Sequence, residues 1–235
     1  MKRNICRVSS LVLSLTMLVS LFTGISMKSY AAANPDPGNV GHYFYTDGNY
    51  ENANVLLDNN SIYYFTVSSI APNEVSIGRV GKNQAKIPDT VNIPATVCEE
   101  TVTYSITSIS LGAFSSLDNL TTVNIPTGVR CIGTRAFQCS RNLSSVSIPE
   151  GVTTIENGAF QECTNLENIV IPSSVTSMGA YIFFNATKLL SVTMKGTVPP
   201  TLGDDAFFNN AAKMKIYVPK GCVDTYRSAP GWINY

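Results

Sequence analysis

The sequence predicts a β-rich repeat solenoid with parallel strands, short helical turns, an N-terminal β-hairpin cap and a C-terminal cap. Three observations carry this expectation. Phe114, Phe137, Phe160 and Phe183 recur at intervals of 23 residues, and Phe207 follows after 24. Leu120, Leu143, Leu166 and Leu189 keep the same step, as do Val123, Val146, Ile169 and Val192, and then Ile125, Ile148, Ile171 and Met194. Pro126, Pro149 and Pro172 follow three of that last set, and Val218-Pro219 repeats the pair with the one-residue slip seen at Phe207. A constant period of this size marks stacked coils, each burying its apolar face only against its neighbours.

Residues 1–33 read as a secretory signal peptide. They open on Lys2, Arg3 and Arg7, run through the apolar stretch Leu11 to Phe22, and close on the small residues Ala31, Ala32 and Ala33. The apolar stretch falls short of the ~20 residues that span a bilayer, and no later stretch approaches that length, so no membrane span is expected once the signal is removed. Cleavage would leave 12 positive and 16 negative side chains, a net charge of −4. Residues 34–54, with Pro35, Pro37, glycines and asparagines, suit a linker or loosely held arm.

Residues 55–106 form the expected N-terminal β cap leading into the first repeat. Short strands are predicted at 55–57, 62–67, 75–80 and 102–106, with Asp58-Asn59-Asn60-Ser61 turning between the first two. Residues 107–219 are the repeats. In Leu120-Thr121-Thr122-Val123-Asn124-Ile125 the apolar residues fall in the L-x-x-L-x-L pattern of a leucine-rich repeat strand. Val123 and Ile125 alternate with Thr122 and Asn124, so one face points inward and the other to solvent. Proline then ends the strand, having no N–H for the ladder.

A second short strand follows, marked by Val129 and Ile132, Val152 and Ile155, and Val175 and Met178. Phe160, Cys163 and Leu166, spaced by three, predict a tight helical turn that closes the coil. Residues 220–235 form the C-terminal cap: a short helix over 221–228 with Val223 and Tyr226 on one side, then Pro230 and the single tryptophan, Trp232. Tyr226 and Trp232 are expected as a lid over the apolar end of the array.

Composition narrows the function. Sixteen Lys plus Arg balance sixteen Asp plus Glu, charged residues make up only 14%, and there is one histidine. The lack of basic excess excludes an electrostatic footprint for nucleic acid. His42 alone cannot build a multi-histidine metal cage or a two-imidazole relay, and no metal or cofactor is expected. G-x-S-x-G, H-E-x-x-H, G-x-x-x-x-G-K and G-x-G-x-x-G are all absent. The acidic pairs Glu99-Glu100 and Asp204-Asp205 fall at predicted turns, and adjacent acids do not face each other across a cleft as glycoside hydrolysis requires.

The residues left for recognition lie on the solvent side of the principal strands, expected to be concave. One column is Thr122, Ser145, Asn168, Ser191 and Lys215, and the next is Asn124, Ser147, Val170, Thr193 and Tyr217. Five rungs ~4.8 Å apart span roughly 20 Å, a small hydroxyl-rich face. Two readings stand: a surface that hydrogen-bonds a protein or glycan, or polar residues that merely solvate a parallel sheet. The aromatic cluster Tyr43, Phe44, Tyr45 and Tyr50 beside His42 is expected in the N-terminal cap, with a stacking surface for a sugar as the alternative.

Beyond the signal lie Cys98, Cys131, Cys139, Cys163 and Cys222, an odd number with no C-x-x-C. Cys139 and Cys163 occupy neighbouring coils, but their one-residue offset aims them differently. Cys163 shares its slot with Leu117 and Ala186, which predicts a small interior thiol rather than a bridge. The sequons at Asn119 and Asn142 share a slot with Asn165, so the repeat explains them without glycosylation.

The run IPEGVTTIENGAFQECTNLENIVIPSSVTSMG resembles the BspA-type leucine-rich repeat, and VPKGCVDTYRSAPGW is similar to the segment that closes such arrays. The likeness covers about residues 87–219. It implies a surface or secreted interaction protein, in some members an adhesin, and not an enzyme. The expectation is therefore an extracellular recognition protein with a protein or glycan partner. The alternative is a structural or inhibitory partner of another extracellular protein.

Overall fold

The motif Thr-Val-Asn-Ile-Pro alternates polar and apolar side chains and then stops at a residue with no ladder donor, so it makes a strand of only three or four residues. A computed structural model, describing residues 43–46, 63–70, 73–78, 88–99 and 102–235, shows how these strands stack. The expected leader, the expected strand at 55–57 with its turn, and most of the 34–54 arm lie outside the described residues. Four residues of that arm do not hang free: β1 (Tyr43–Thr46) pairs antiparallel with β2 (Tyr63–Ile70), which pairs antiparallel with β3 (Asn73–Ile77). The strand expected over 75–80 thus starts and ends earlier.

The cap contains a rung that the 23-residue period hides. β4 (Thr90–Asn92) lies parallel to β7 (Thr122–Asn124), with Val91 opposite Val123, both fully buried. Between them β5 (Thr96–Glu99) and β6 (Val102–Ile109) form an inserted antiparallel hairpin. Glu99 therefore ends a strand and does not sit in a turn. β6 runs three residues beyond its expected end. A register shift opposite Val75 and Ser76 lets Ile106 and Ile109, an odd number of residues apart, both face the core.

The principal strands form two parallel ladders, β4–β7–β9 (β9, Ser145–Ser147) and β11–β13–β15 (Asn168–Ile171, Ser191–Met194, Lys215–Tyr217). The second side continues from β6 through two-residue strands: β8 (Cys131–Ile132), β10 (Thr154–Ile155), β12 (Ser177–Met178) and β14 (Thr201–Leu202).

At the third side, the i→i+3 bonds of the expected tight turn are present, as from Ala159 N–H to the Glu156 carbonyl and from Gln161 N–H to the Gly158 carbonyl. They do not wind into helix, because left-handed residues recur four apart: Gly158 at φ 63° and Glu162 at φ 58°, with Arg135 and Cys139 in the coil before and Tyr181 and Asn185 in the coil after. Left-handed backbone is unfavourable for residues other than glycine. Here it turns alternate amides along the solenoid axis. Gly158, Phe160 and Glu162 donate to the carbonyls of Ala180, Ile182 and Phe184 in the next coil, at 2.8, 2.9 and 2.8 Å. The corner is a third ladder and leaves few main-chain groups unpaired.

Those ladders set the spacing of the core. Phe114, Phe137, Phe160, Phe183 and Phe207 stand in one column with ring centroids 5.2–5.6 Å apart and planes within 11° of parallel. The stack is the offset arrangement that aromatic quadrupoles favour. Coil separation is as tight at the backbone. A Cβ on Gly203 would lie 2.6 and 2.7 Å from Gly179 C and Ala180 Cα, so only glycine fits there.

The C-terminal cap closes the phenylalanine end. α1 (Val223–Ser228) and a 3₁₀ turn at Trp232–Asn234 bring Tyr226 and Trp232 edge to face, both nearly fully buried. Trp232 Nε1–H donates to the Pro200 carbonyl at 2.8 Å, and Tyr226 Oη–H donates to the Gly196 carbonyl at 2.9 Å. Burial pushes the Tyr226 phenol up to about 12, as the loss of water around a phenolate should.

Candidate functional site

Alternation along each principal strand decides what reaches solvent. Val123, Ile169 and Val192 point inward, which leaves the residues on either side of each to face out. The ladder registers then line those residues up. Thr122 stands opposite Ser145, and Asn168, Ser191 and Lys215 follow one another in the second ladder. Asn124 stands opposite Ser147, and Val170, Thr193 and Tyr217 follow in register. The ten expected residues therefore line up in two columns within each ladder, four in the first ladder and six in the second, while among the described residues no strand pairing joins β9 to β11. Seven are exposed, and Thr122, Ser191 and Thr193 are half-buried.

Thr90 and Asn92 extend both columns by a rung that the sequence reading missed. The signal was present: Thr-Val-Asn-Ile-Pro stands at 90–94 and again, letter for letter, at 122–126. The inserted hairpin moved it off the 23-residue step.

Neighbouring rungs are tied through their side chains. Asn124 Nδ2 donates to Asn92 Oδ1 at 2.7 Å, and Ser191 Oγ donates to Asn168 Oδ1 at 2.6 Å. The first ladder presents only hydroxyl and amide groups. The second adds Val170 and Tyr217, each about half exposed, and the cation Lys215. Such a face offers directional hydrogen bonds at one end and apolar contact with a positive charge at the other.

The aromatic cluster falls partly within the described residues, where Tyr43, Phe44 and Tyr45 occupy β1; His42 and Tyr50 lie outside them. The sequon residue Asn142 is engaged on both sides of its amide. Its Nδ2 donates to the Asp118 carbonyl at 2.6 Å, its Oδ1 accepts from Asn165 at 2.9 Å, and Asn165 in turn accepts from Lys188 at 2.7 Å. Among the described residues, no group of three or more His, Cys, Asp or Glu side chains is placed to hold a metal ion, and no helix is long and apolar enough to cross a membrane.

The cysteines at 131, 139, 163 and 222 are free. Cys163 is interior as expected, its thiol donating to the Phe137 carbonyl at 3.2 Å. Ser140, one coil earlier in the same slot, donates to the Phe114 carbonyl at 2.7 Å. Cys139 sits at the preceding left-handed position, and its thiol turns to Glu162 at 3.6 Å instead of to Cys163. Burial, then the charge of Glu156 at 3.7 Å, pushes the Cys131 thiol up to about 11. Glu156 is itself held by the Thr134 amide at 2.8 Å and hydroxyl at 2.7 Å.

Cys131 is therefore expected to alkylate with iodoacetamide about 100-fold more slowly at pH 8 than an unhindered thiol, its rate climbing with pH towards 11. Cys163 should stay unlabelled until the chain unfolds. Peptide-resolved labelling checks both, and a Cys131 rate already level at pH 9 would contradict the geometry. The raised thiol pKa also links stability to pH. The folded thiol stays protonated where the unfolded one ionises, so the contribution is complete below about pH 9 and is lost as pH rises towards 11.

Comparison with known proteins agrees with this architecture. A family model described as the BspA type leucine rich repeat region matches residues 96–214 in six copies, about half of the chain. Among solved structures, the chain is similar to a leucine-rich repeat protein of T. pallidum, at 24% identity over 66% of this chain and 67% of that one, with a TM-score of 0.57. It is also similar to the pneumococcal vaccine antigen PcpA, at 16% identity over 78% of this chain and a TM-score of 0.55, where it spans about half (51%) of the antigen's length. These likenesses concern the fold. No curated protein matches.

Proposed function

The chain belongs to the BspA-type leucine-rich repeat family, and from that membership we propose that it is an exported recognition protein. It binds an extracellular protein or glycan through the principal-strand face, with adhesion to a cell surface as the outcome. The signal-like residues 1–33 support export, and the family resemblance supports an interaction role without catalysis.

The observation that carries the reading is the alignment of two solvent-facing columns within each of two three-stranded ladders, with Asn92–Asn124 and Asn168–Ser191 already hydrogen-bonded. Side chains fixed before binding have little rotamer entropy left to lose, so their contacts count more fully toward affinity.

Replacing Asn168 and Tyr217 together with alanine tests it. Both are exposed, so the thermal midpoint should hold while binding of the labelled chain to immobilised extracellular extract falls by about tenfold or more. Undiminished binding by a variant with an unchanged midpoint would move the site off this face.

A further inference from the structure

The last coil differs from the others in two respects that coincide. β15 is the final strand of its ladder, pairing with β13 on one side and with no other described strand. Its inward residues are also incompletely covered. Ile216, opposite the fully buried Val192, and Val218, the counterpart of the buried Met194, remain partly open. The cap seals the phenylalanine column and leaves a cavity of about 260 Å³ beside β15, lined by Ile216, Val218, Tyr226, Arg227, Trp232 and Tyr235 among others. That is below the ~300–1,000 Å³ of sites for free small molecules and suits an anchoring side chain.

Charge is biased here as well. From the approach to β15 through the cap, residues 213–235 carry Lys213, Lys215, Lys220 and Arg227 against the single acid Asp224, while Asp204 and Asp205 of the same coil lie at the turn that begins before Phe207. We propose that this end docks an extended acidic peptide, which adds as the next strand along β15 and inserts an apolar side chain into the cavity. Strand addition draws affinity from main-chain hydrogen bonds and selectivity from a pocket for alternate side chains, and both elements are present side by side. The cationic rim selects the sign of the peptide's remaining residues and speeds its capture. This site adjoins the recognition face, sharing β15 and its Lys215 with it, but it uses the free edge of that strand and the cap, and Lys213 and Arg227 lie outside the face's two columns.

Trp232, the only tryptophan, lines the cavity and reports on it. The full chain is titrated with an N-acetylated, C-amidated decapeptide alternating Glu with Leu and Val, and tryptophan emission is followed. A saturable change is expected, weakening by about tenfold or more between roughly 50 and 500 mM salt. The double variant Lys213→Glu, Arg227→Glu, both sites being exposed, should weaken it similarly with an unchanged thermal midpoint. On the unmodified chain, a peptide with Lys for Glu, or with proline at two central positions, should bind at least about tenfold more weakly.

No saturable change, equal response to the lysine peptide, or full affinity for the proline peptide would each overturn the proposal. So would a concentration-dependent emission shift of the chain alone, abolished by the charge reversal, which would give the edge to a second copy.

Discussion

Replacing Phe160 with alanine is expected to lower the unfolding free energy by about 3–5 kcal/mol, because the ring is fully buried and its removal leaves a cavity in a core held open by main-chain ladders. Phe160 lies 5.2 Å from Phe137 and 5.6 Å from Phe183, nearly parallel to both. The two stacks add about 0.5–1.5 kcal/mol each beyond area burial. Collapse cannot relieve the void, since Phe160 N–H is bonded to Ile182 and Phe137 N–H to Ala159, which holds the coils at fixed separation. In a stacked array each coil is stabilised by its two neighbours, so the loss falls on both interfaces and should also make unfolding less cooperative. Urea denaturation followed by far-UV circular dichroism measures both effects. Phe160→Leu should recover much of the loss, and a cost under about 1 kcal/mol for alanine would show that the column is not the spine of the core.

Replacing Trp232 with alanine is expected to cost a similar ~3–5 kcal/mol, acting at the end of the array instead of its middle. The indole covers Phe207 at 6.2 Å, packs against Tyr226 at 5.0 Å, and satisfies the Pro200 carbonyl. Without it, that carbonyl loses its donor and Phe207 loses part of its cover. Trp232→Phe keeps most of the ring and removes the donor, so it should cost nearer ~1–2 kcal/mol, the difference isolating the hydrogen bond from the packing. Thermal unfolding with light scattering distinguishes a lost lid from a local adjustment. The alanine variant should unfold earlier and aggregate, because an uncapped solenoid exposes its apolar cross-section. A midpoint within about 2 °C of the unmodified chain would assign the capping role elsewhere.

The phenylalanine column, the alternation of the principal strands and the interior place of Cys163 were legible in the sequence because a coil of constant length puts equal positions at equal depth. The two-column face was legible for the same reason: once Val123 and Val192 point inward, their neighbours point out. Where the period broke, reading broke with it. Thr90 and Asn92 belong to the same face, but the β5–β6 insertion lengthens the first interval from 23 to 32 residues. The corner was half legible, since spacing by three signals a tight turn equally well whether it winds into helix or reverses through left-handed residues such as Arg135, Tyr181 and Asn185.

The end of the array shows where local reading stops. Trp232 and Tyr226 announce themselves as a lid by size and apolarity. Whether that lid covers the whole cross-section depends on where α1 sets down relative to β15. No repeat position records that placement, because the cap occurs once.

By itself, then, the chain's periodicity determined the coil, the depth of each repeated position and the membership of the solvent-facing columns, since these follow from spacing along one strand and identity between neighbours. The tertiary structure alone decided the bulge that lets Ile106 and Ile109 share the core, the axial hydrogen bonds that hold left-handed residues at the corner, and the open edge beside a half-covered cavity. Each of these depends on contacts between segments that share no sequence period, where only distance in space sets the energy.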